Sequence, residues 1–129
     1  MIEMVFVLPL LLLLLFATIE FSVLMARWQV LSNAAREGAR TAVVFRSGCT
    51  PGTVEAEVRQ KVKDYSALLA IGLADADIAV TGVCGAANTS STVTATFVHN
   101  FIVIPNLTPS VSSSITLTGR SVMRNEGSS

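Results

Sequence analysis

The stretch MVFVLPLLLLLLFATI, Met4 to Ile19, carries no charged residue, and its reading decides how the rest of the chain is understood. At ~1.5 Å per residue it covers roughly 24 Å, short of the ~30 Å hydrocarbon core of a bilayer, whereas counting on to Met25 gives about 33 Å. The span therefore closes only if Glu20 sits at or inside one boundary. Three readings compete: a cleaved secretory signal, a plain membrane anchor, and an assembly helix that rests in a membrane first and is later buried against copies of itself. The signal reading is the weakest, because no basic residues precede the run, no Ala-x-Ala site follows it, and the helical pattern continues past it.

Two acidic residues favour the assembly reading. An ionised carboxylate costs roughly 2.5–3.5 kcal/mol at the centre of a membrane span, and such groups are usually paired or functional. Glu3 and Glu20 both invite a partner, although each lies near an end of the span, and Glu20 has the alternative of reaching the headgroup region. Pro9 removes the hydrogen bond to the Val5 carbonyl, so a kink or a loosened turn is expected there. Membrane helices tolerate this because neighbouring groups re-satisfy the freed carbonyl.

Beyond Met25 the helix changes character. Arg27, Arg36, Arg40 and Arg46 with Glu37 supply a polar side, read as a solvated or interfacial face. Leu31, Ala34, Ala35, Gly38, Ala39, Ala42 and Val43 recur at steps of three and four and make a narrow stripe of small residues. Something must pack closely on that stripe. Gly38 in mid-helix costs about 1 kcal/mol relative to alanine, which is intelligible if a strand or a second helix crosses tightly there.

The residues Glu3-Met-Val-Phe-Val-Leu-Pro9, the leucines after them, Ile19-Glu20-Phe21 and Gln29-Val-Leu-Ser-Asn-Ala-Ala-Arg-Glu-Gly-Ala-Arg40 resemble the N-terminal part of the TadE-like family, pilin-like subunits of tight-adherence pilus systems. The resemblance covers roughly the first third of the chain. Pro105 in a loop, the strand Ile115-Thr-Leu-Thr and Ser121-Val-Met-Arg-Asn-Glu126 resemble the same family at the C-terminal end. Family precursors carry a short basic leader, a cleavage-point glycine and a glutamate at the fifth mature position. Here the matching glutamate is Glu3, the sequence shows neither leader nor glycine, and the processing point stays open.

The resemblance implies a pilin or minor pilin, held in the inner membrane and then assembled into an extracellular filament. Its partners would be copies of itself, other pilins and the pilus assembly machinery. The assembly residues would be Glu3, Pro9, Leu11, Leu12, Leu13, Leu14, Leu15, Phe16 and Glu20. By likeness to pilins, Glu3 would accept the terminal ammonium of a neighbouring subunit. The alternative is a non-polymerising single-pass protein whose head binds a pilus component or a surface ligand.

The chain has 129 residues, of which 51% are hydrophobic, and a formal net charge of zero, so it has room for one small head beyond the helix. Residues 1–26 read as the transmembrane or filament-core half of the helix and residues 27–129 as the head. No basic stripe of the kind that neutralises phosphates lies outside the helix arginines, so no nucleic-acid partner is expected. Enzymatic chemistry is not expected either. His99 is the sole histidine and falls in a strand, and no Gly-rich phosphate loop or metal-ligand cluster is present, so no cofactor is assigned.

The long helix should end near Arg46, before the turn residues Ser47 to Gly52. Thr53 should cap a second helix, with Glu55 and Glu57 in its first turn and Val54, Val58, Val62, Tyr65, Leu68 and Leu69 as its apolar face. Three stretches then alternate: Ile78, Val80 and Gly82; Val93, Ala95 and Phe97; Ile115, Leu117 and Gly119. The expected fold class is α+β, a long N-terminal hydrophobic helix with a second helix and a small three- or four-stranded antiparallel sheet. Cys49 and Cys84 lie in Gly-flanked segments able to approach each other, and a disulfide between them is expected, implying an oxidising side of the membrane. Cys84 to Ser91 reads as a flexible polar connection. Phe101 to Leu107, interrupted by Pro105, either finishes the core or makes a subunit contact.

Overall fold

The computed structural model describes residues 2–44, 46–103 and 112–127, with the side chains of Ile2 and Glu3 outside that description. Pro105 and the rest of the stretch to Leu107 beyond Val103 lie outside the described residues. Helix α1 runs Ile2–Val43 without interruption through Pro9, and helix α2 runs Pro51–Ser66. Strands β1 (Ile78–Thr81), β2 (Ser90–Asn100) and β3 (Ser114–Arg124) form an antiparallel sheet in the order β1-β2-β3. The fold is α+β, with three strands among the described residues.

Alternation sets which face of the sheet is inside. Ile78 and Val80 of β1, Val93 and Ala95 of β2, and Leu117 of β3 are buried, while Thr116, Thr118 and Arg120 face out. The register places Val80 opposite Val93 and Ala95 opposite Gly119, so the inward residues of neighbouring strands share one layer. Ile115, read from the sequence as inward, is 42% exposed because it lies near the start of β3, beyond the part that the helices cover. Leu31, Ala34, Ala39 and Ala42 of α1 and Val54, Val58 and Val62 of α2 complete this core.

The small-residue stripe is where α1 meets both neighbours. A Cβ built on Gly38 would lie 2.6 Å from Val62 Cγ2 and 3.4 Å from Val58 Cγ1 and Val93 Cγ1, so a helix and a strand both cross there. Gly119 does the same for β3: a Cβ would lie 2.5 Å from the Leu31 carbonyl oxygen, leaving backbone against backbone. Glycine is required at such distances because no side-chain rotation relieves a clash with a carbonyl.

Helix α2 departs from expectation at both ends. It begins at Pro51, with Thr50 as N-cap, and the Thr53 and Val54 amides donate to the Thr50 carbonyl at 3.1 and 3.2 Å. Thr53 is therefore inside the helix, because proline's fixed φ and missing N–H suit the first helical position. Glu55 and Glu57 consequently fall beyond the first turn. Glu57 pairs with Arg46 at 2.6 Å, and that hydrogen bond holds the Glu57 carboxyl below its ordinary range; Glu55 lies 3.5 Å from Arg59. At the other end the helix stops at Ser66, gives way to a 3-10 turn over Ala67–Leu69, and closes on Ala70 in the left-handed region. The tighter turn swings Leu68 out of the apolar face, leaving it 72% exposed.

The far end of the head is stitched. Cys49 and Cys84 form a disulfide with a Cα–Cα distance of 5.7 Å, joining the loop after α1 to the turn after β1. Asn125 donates through Nδ2 to the Gly82 carbonyl and Thr89 Oγ1, and its backbone amide donates to the Thr89 carbonyl. The connection Cys84 to Ser91, which its composition marks as flexible, is held at both ends by these contacts. The Glu126 amide donates to the Val43 carbonyl at 3.3 Å, satisfying one of the carbonyls left open where α1 ends, at Val43 and not at Arg46.

Candidate functional site at the neck of the long helix

Helix α1 has two regimes. From Met4 to Phe16 every described side chain is exposed, among them Pro9, Leu11, Leu12, Leu13, Leu14, Leu15 and Phe16, and no part of the head reaches them. Each large apolar side chain left in water forgoes roughly 1.5–3 kcal/mol of burial, so this rod requires an apolar surrounding. It is also the one helix among the described residues long and apolar enough to cross a membrane. Glu3 lies on this rod, and its side chain is outside the described residues.

The change of regime occurs at Glu20. Glu20 is 9% exposed, and its Oε1 accepts hydrogen bonds from the backbone amides of Ile102 and, at 3.3 Å, Val103. A carboxylate that receives backbone donors in this way makes charge-assisted bonds, roughly twice as strong as neutral ones. The segment after β2 is thereby fastened to the helix. The partner that Glu20 invites is in its own chain, and these bonds keep the carboxylate from turning out toward a headgroup. Removing the acceptor has a local signature. In Glu20→Ala the Ile102 and Val103 amides should exchange about tenfold faster with solvent deuterium, while those of Val93 and Ala95 keep their protection.

Two turns further along, Arg27 and His99 form a second, partly buried polar contact. The Arg27 guanidinium lies 2.9 Å from His99 Nδ1 and stacks 5.7 Å from the centre of the Phe97 ring. A guanidinium has donors only, so Nδ1 is the acceptor and the proton of the neutral imidazole is on Nε2. Nε2 is buried and has no hydrogen-bond partner among the described residues. Phe101 packs edge-on to the imidazole at 5.3 Å. Arg27 is therefore tied into the head, unlike the exposed Arg36 and Arg40 with which the sequence groups it.

Burial first, and then the nearby Arg27 charge, push His99 below its ordinary range, outweighing the pull of Glu20. The unfolded chain, with a histidine pKa of about 6.5, then takes up the proton first as pH falls. Stability contributed by neutral His99 is thus complete above that value and declines as pH drops from about 6.5 toward the lower folded value. Urea midpoints of the detergent-solubilised chain should fall between about pH 7 and pH 5, and His99→Gln should flatten that slope.

Arg27, His99 and the Ile102–Val103 amides are the residues that sequence reasoning did not assign to a site. A signal for two of them was present. Glu20, Leu24, Arg27 and Leu31 are spaced by four, three and four residues along one helix stripe, and His99 continues the inward phase of Val93, Ala95 and Phe97. The amides of Ile102 and Val103 carried no such signal, because any residue has one.

Between rod and head lies a groove of about 220 Å³, lined by Phe16, Ile19, Glu20, Val23, Arg27, His99, Asn100, Ile102 and Val103. An α+β head on an exposed apolar helix, gripped at an acidic neck, is the class of protein that fold and site define. The family model described as TadE-like protein matches residues 1–40, covering the rod, the neck and most of the small-residue stripe. Searches of curated proteins and of solved structures gave no match. The family match and the exposed apolar helix are consistent with a membrane protein related to tight-adherence pili.

Proposed function

We propose that this chain is a structural, pilin-like subunit of a tight-adherence or type IV-like pilus. Its apolar helix holds it in the inner membrane with the head on the extracytoplasmic side, and it enters an extracellular filament by packing its rod against the rods of sister subunits and other pilins. Hydrophobic burial among parallel helices replaces burial in lipid, so the transfer needs little net change in apolar environment. The observation that carries this reading is the exposure of the whole Met4–Phe16 stretch, whereas from Glu20 onward one side of the helix, with Glu20, Leu24 and Leu31, is buried against the head. The TadE-like match over residues 1–40 supports it. The Cys49–Cys84 disulfide supports an oxidising compartment for the head. The role is mechanical, and assembly machinery would act on the rod.

Fractionation of sheared extracellular material tests the proposal. The chain is expected in the filament fraction, and Glu3→Ala should lower its yield there by about tenfold while leaving membrane insertion intact, if Glu3 pairs with a neighbouring terminal ammonium. A chain that stays with the membranes under conditions where filaments are shed is instead an anchored binding protein, and that result overturns the proposal.

A further inference from the structure

Counted from Met4 at ~1.5 Å per residue, a hydrocarbon core of ~30 Å is used up near Val23, and a headgroup layer of about 5–8 Å then covers Arg27 and Trp28. Two independent features of the head agree with that depth. Trp28 is about half exposed on the helix, at the level where tryptophans collect at membrane interfaces. Leu68 and Ile102, at 72% and 78% exposure, are bare apolar side chains at the edge of the head beside Val23 and Arg27, where the 3-10 turn and the segment after β2 reach the helix.

The groove at the neck is apolar along Phe16, Ile19 and Val23, with the Glu20 carboxylate engaged by the Ile102 and Val103 amides, and cationic at its upper end, where Arg27 stands beside His99. His99 is 4% exposed with its Nε2 covered, so it backs the groove and holds Arg27 in place without offering a ligand a donor. Arg27 spends one guanidinium nitrogen on His99 Nδ1, which leaves further N–H donors for an anion. An apolar channel below a cationic donor is complementary to an acyl chain below a phosphodiester.

We propose that the neck groove binds one membrane phospholipid, with an acyl chain along Phe16, Ile19 and Val23 and the phosphodiester at Arg27. Bound this way, the lipid seats the edge of the head, with Leu68 and Ile102, in the interface. The inference rests on the membrane-spanning part of the function proposed above and not on polymerisation, so a chain that never forms filaments still tests it.

Native mass spectrometry of the full chain in detergent, with phosphatidylglycerol added, reads the bound state directly. The expected result is a single retained phospholipid. Arg27→Ala should reduce its retention about tenfold, the equivalent of one charge-assisted hydrogen bond. Val23→Trp, which fills the groove at a half-exposed position outside the core, should do the same with the head's thermal transition unchanged, and Arg36→Ala should retain lipid as the unaltered chain does. Equal retention in Val23→Trp and the unaltered chain overturns the proposal. So does displacement of the lipid by millimolar inorganic phosphate, which would mark a simple anion site, or a dimer in place of the lipid-bound chain, which would mean that a second copy fills the groove.

Discussion

Gly119→Ala should be among the most damaging single-methyl changes in the head, lowering its stability by about 3 kcal/mol, at the upper end of what overpacking costs. The added Cβ would lie 2.5 Å from the Leu31 carbonyl oxygen, 2.7 Å from the Leu31 carbonyl carbon and 3.0 Å from the Ser32 amide nitrogen. All three are main-chain atoms of α1. Relief would require either the helix to lift from the sheet or β3 to leave its register opposite Ala95. Gly38→Ala meets side-chain atoms instead, so part of its strain can be taken up by movement of Val62. Gly52→Ala is the control: nothing lies within 4 Å of the new methyl, and the change should be neutral or stabilising by up to about 1 kcal/mol. Thermal or urea unfolding of the three variants, followed by far-ultraviolet circular dichroism of the detergent-solubilised chain, ranks them. A Gly119→Ala transition coinciding with that of Gly52→Ala would show that α1 does not lie on β3 as described.

Reduction of the Cys49–Cys84 bond is the second large effect. The bond spans a sequence separation of 35, for which chain-entropy arguments give roughly 3–4 kcal/mol of stabilisation. In a head of this size that corresponds to a drop of about 12–30 °C in the midpoint of thermal unfolding. The location matters as much as the amount. The bond joins the loop leaving α1 to the turn after β1, beside the Asn125 contacts with Gly82 and Thr89. Its loss should first free the turn over residues 82–89, well away from the neck. Melting curves of the chain with and without reductant, and of Cys49→Ser, measure the effect. A midpoint that reductant leaves in place, with both thiols shown to be free, would contradict it.

These two sites show unequal legibility. The stripe around Gly38 is visible in sequence because small residues repeat at helical spacing, and mid-helix glycine makes sense only under close approach. Gly119 sits in phase with Leu117 on an alternating strand, which marks it as inward but gives no partner. That partner is the Leu31 backbone, nearly ninety positions away, and main-chain atoms leave no trace in residue identity. Thr53 illustrates the opposite failure. A capping residue followed by acidic side chains is a valid helix start, but Pro51 two positions earlier is a stronger one, and local competition settled the boundary.

The apolar run, its length, the helical stripe beyond it and the strand alternation were enough to establish an α+β head on a hydrophobic rod, because periodicity and hydropathy are carried by the side chains themselves. The paired cysteines belong with these, being the only two in the chain. Folding alone decided where the rod ends and the head begins. That boundary depends on Glu20 meeting the Ile102 and Val103 amides and on Arg27 meeting His99, contacts between segments more than seventy positions apart. Such contacts are set by how α1 lies across the sheet, and that placement follows from the collective packing of the core.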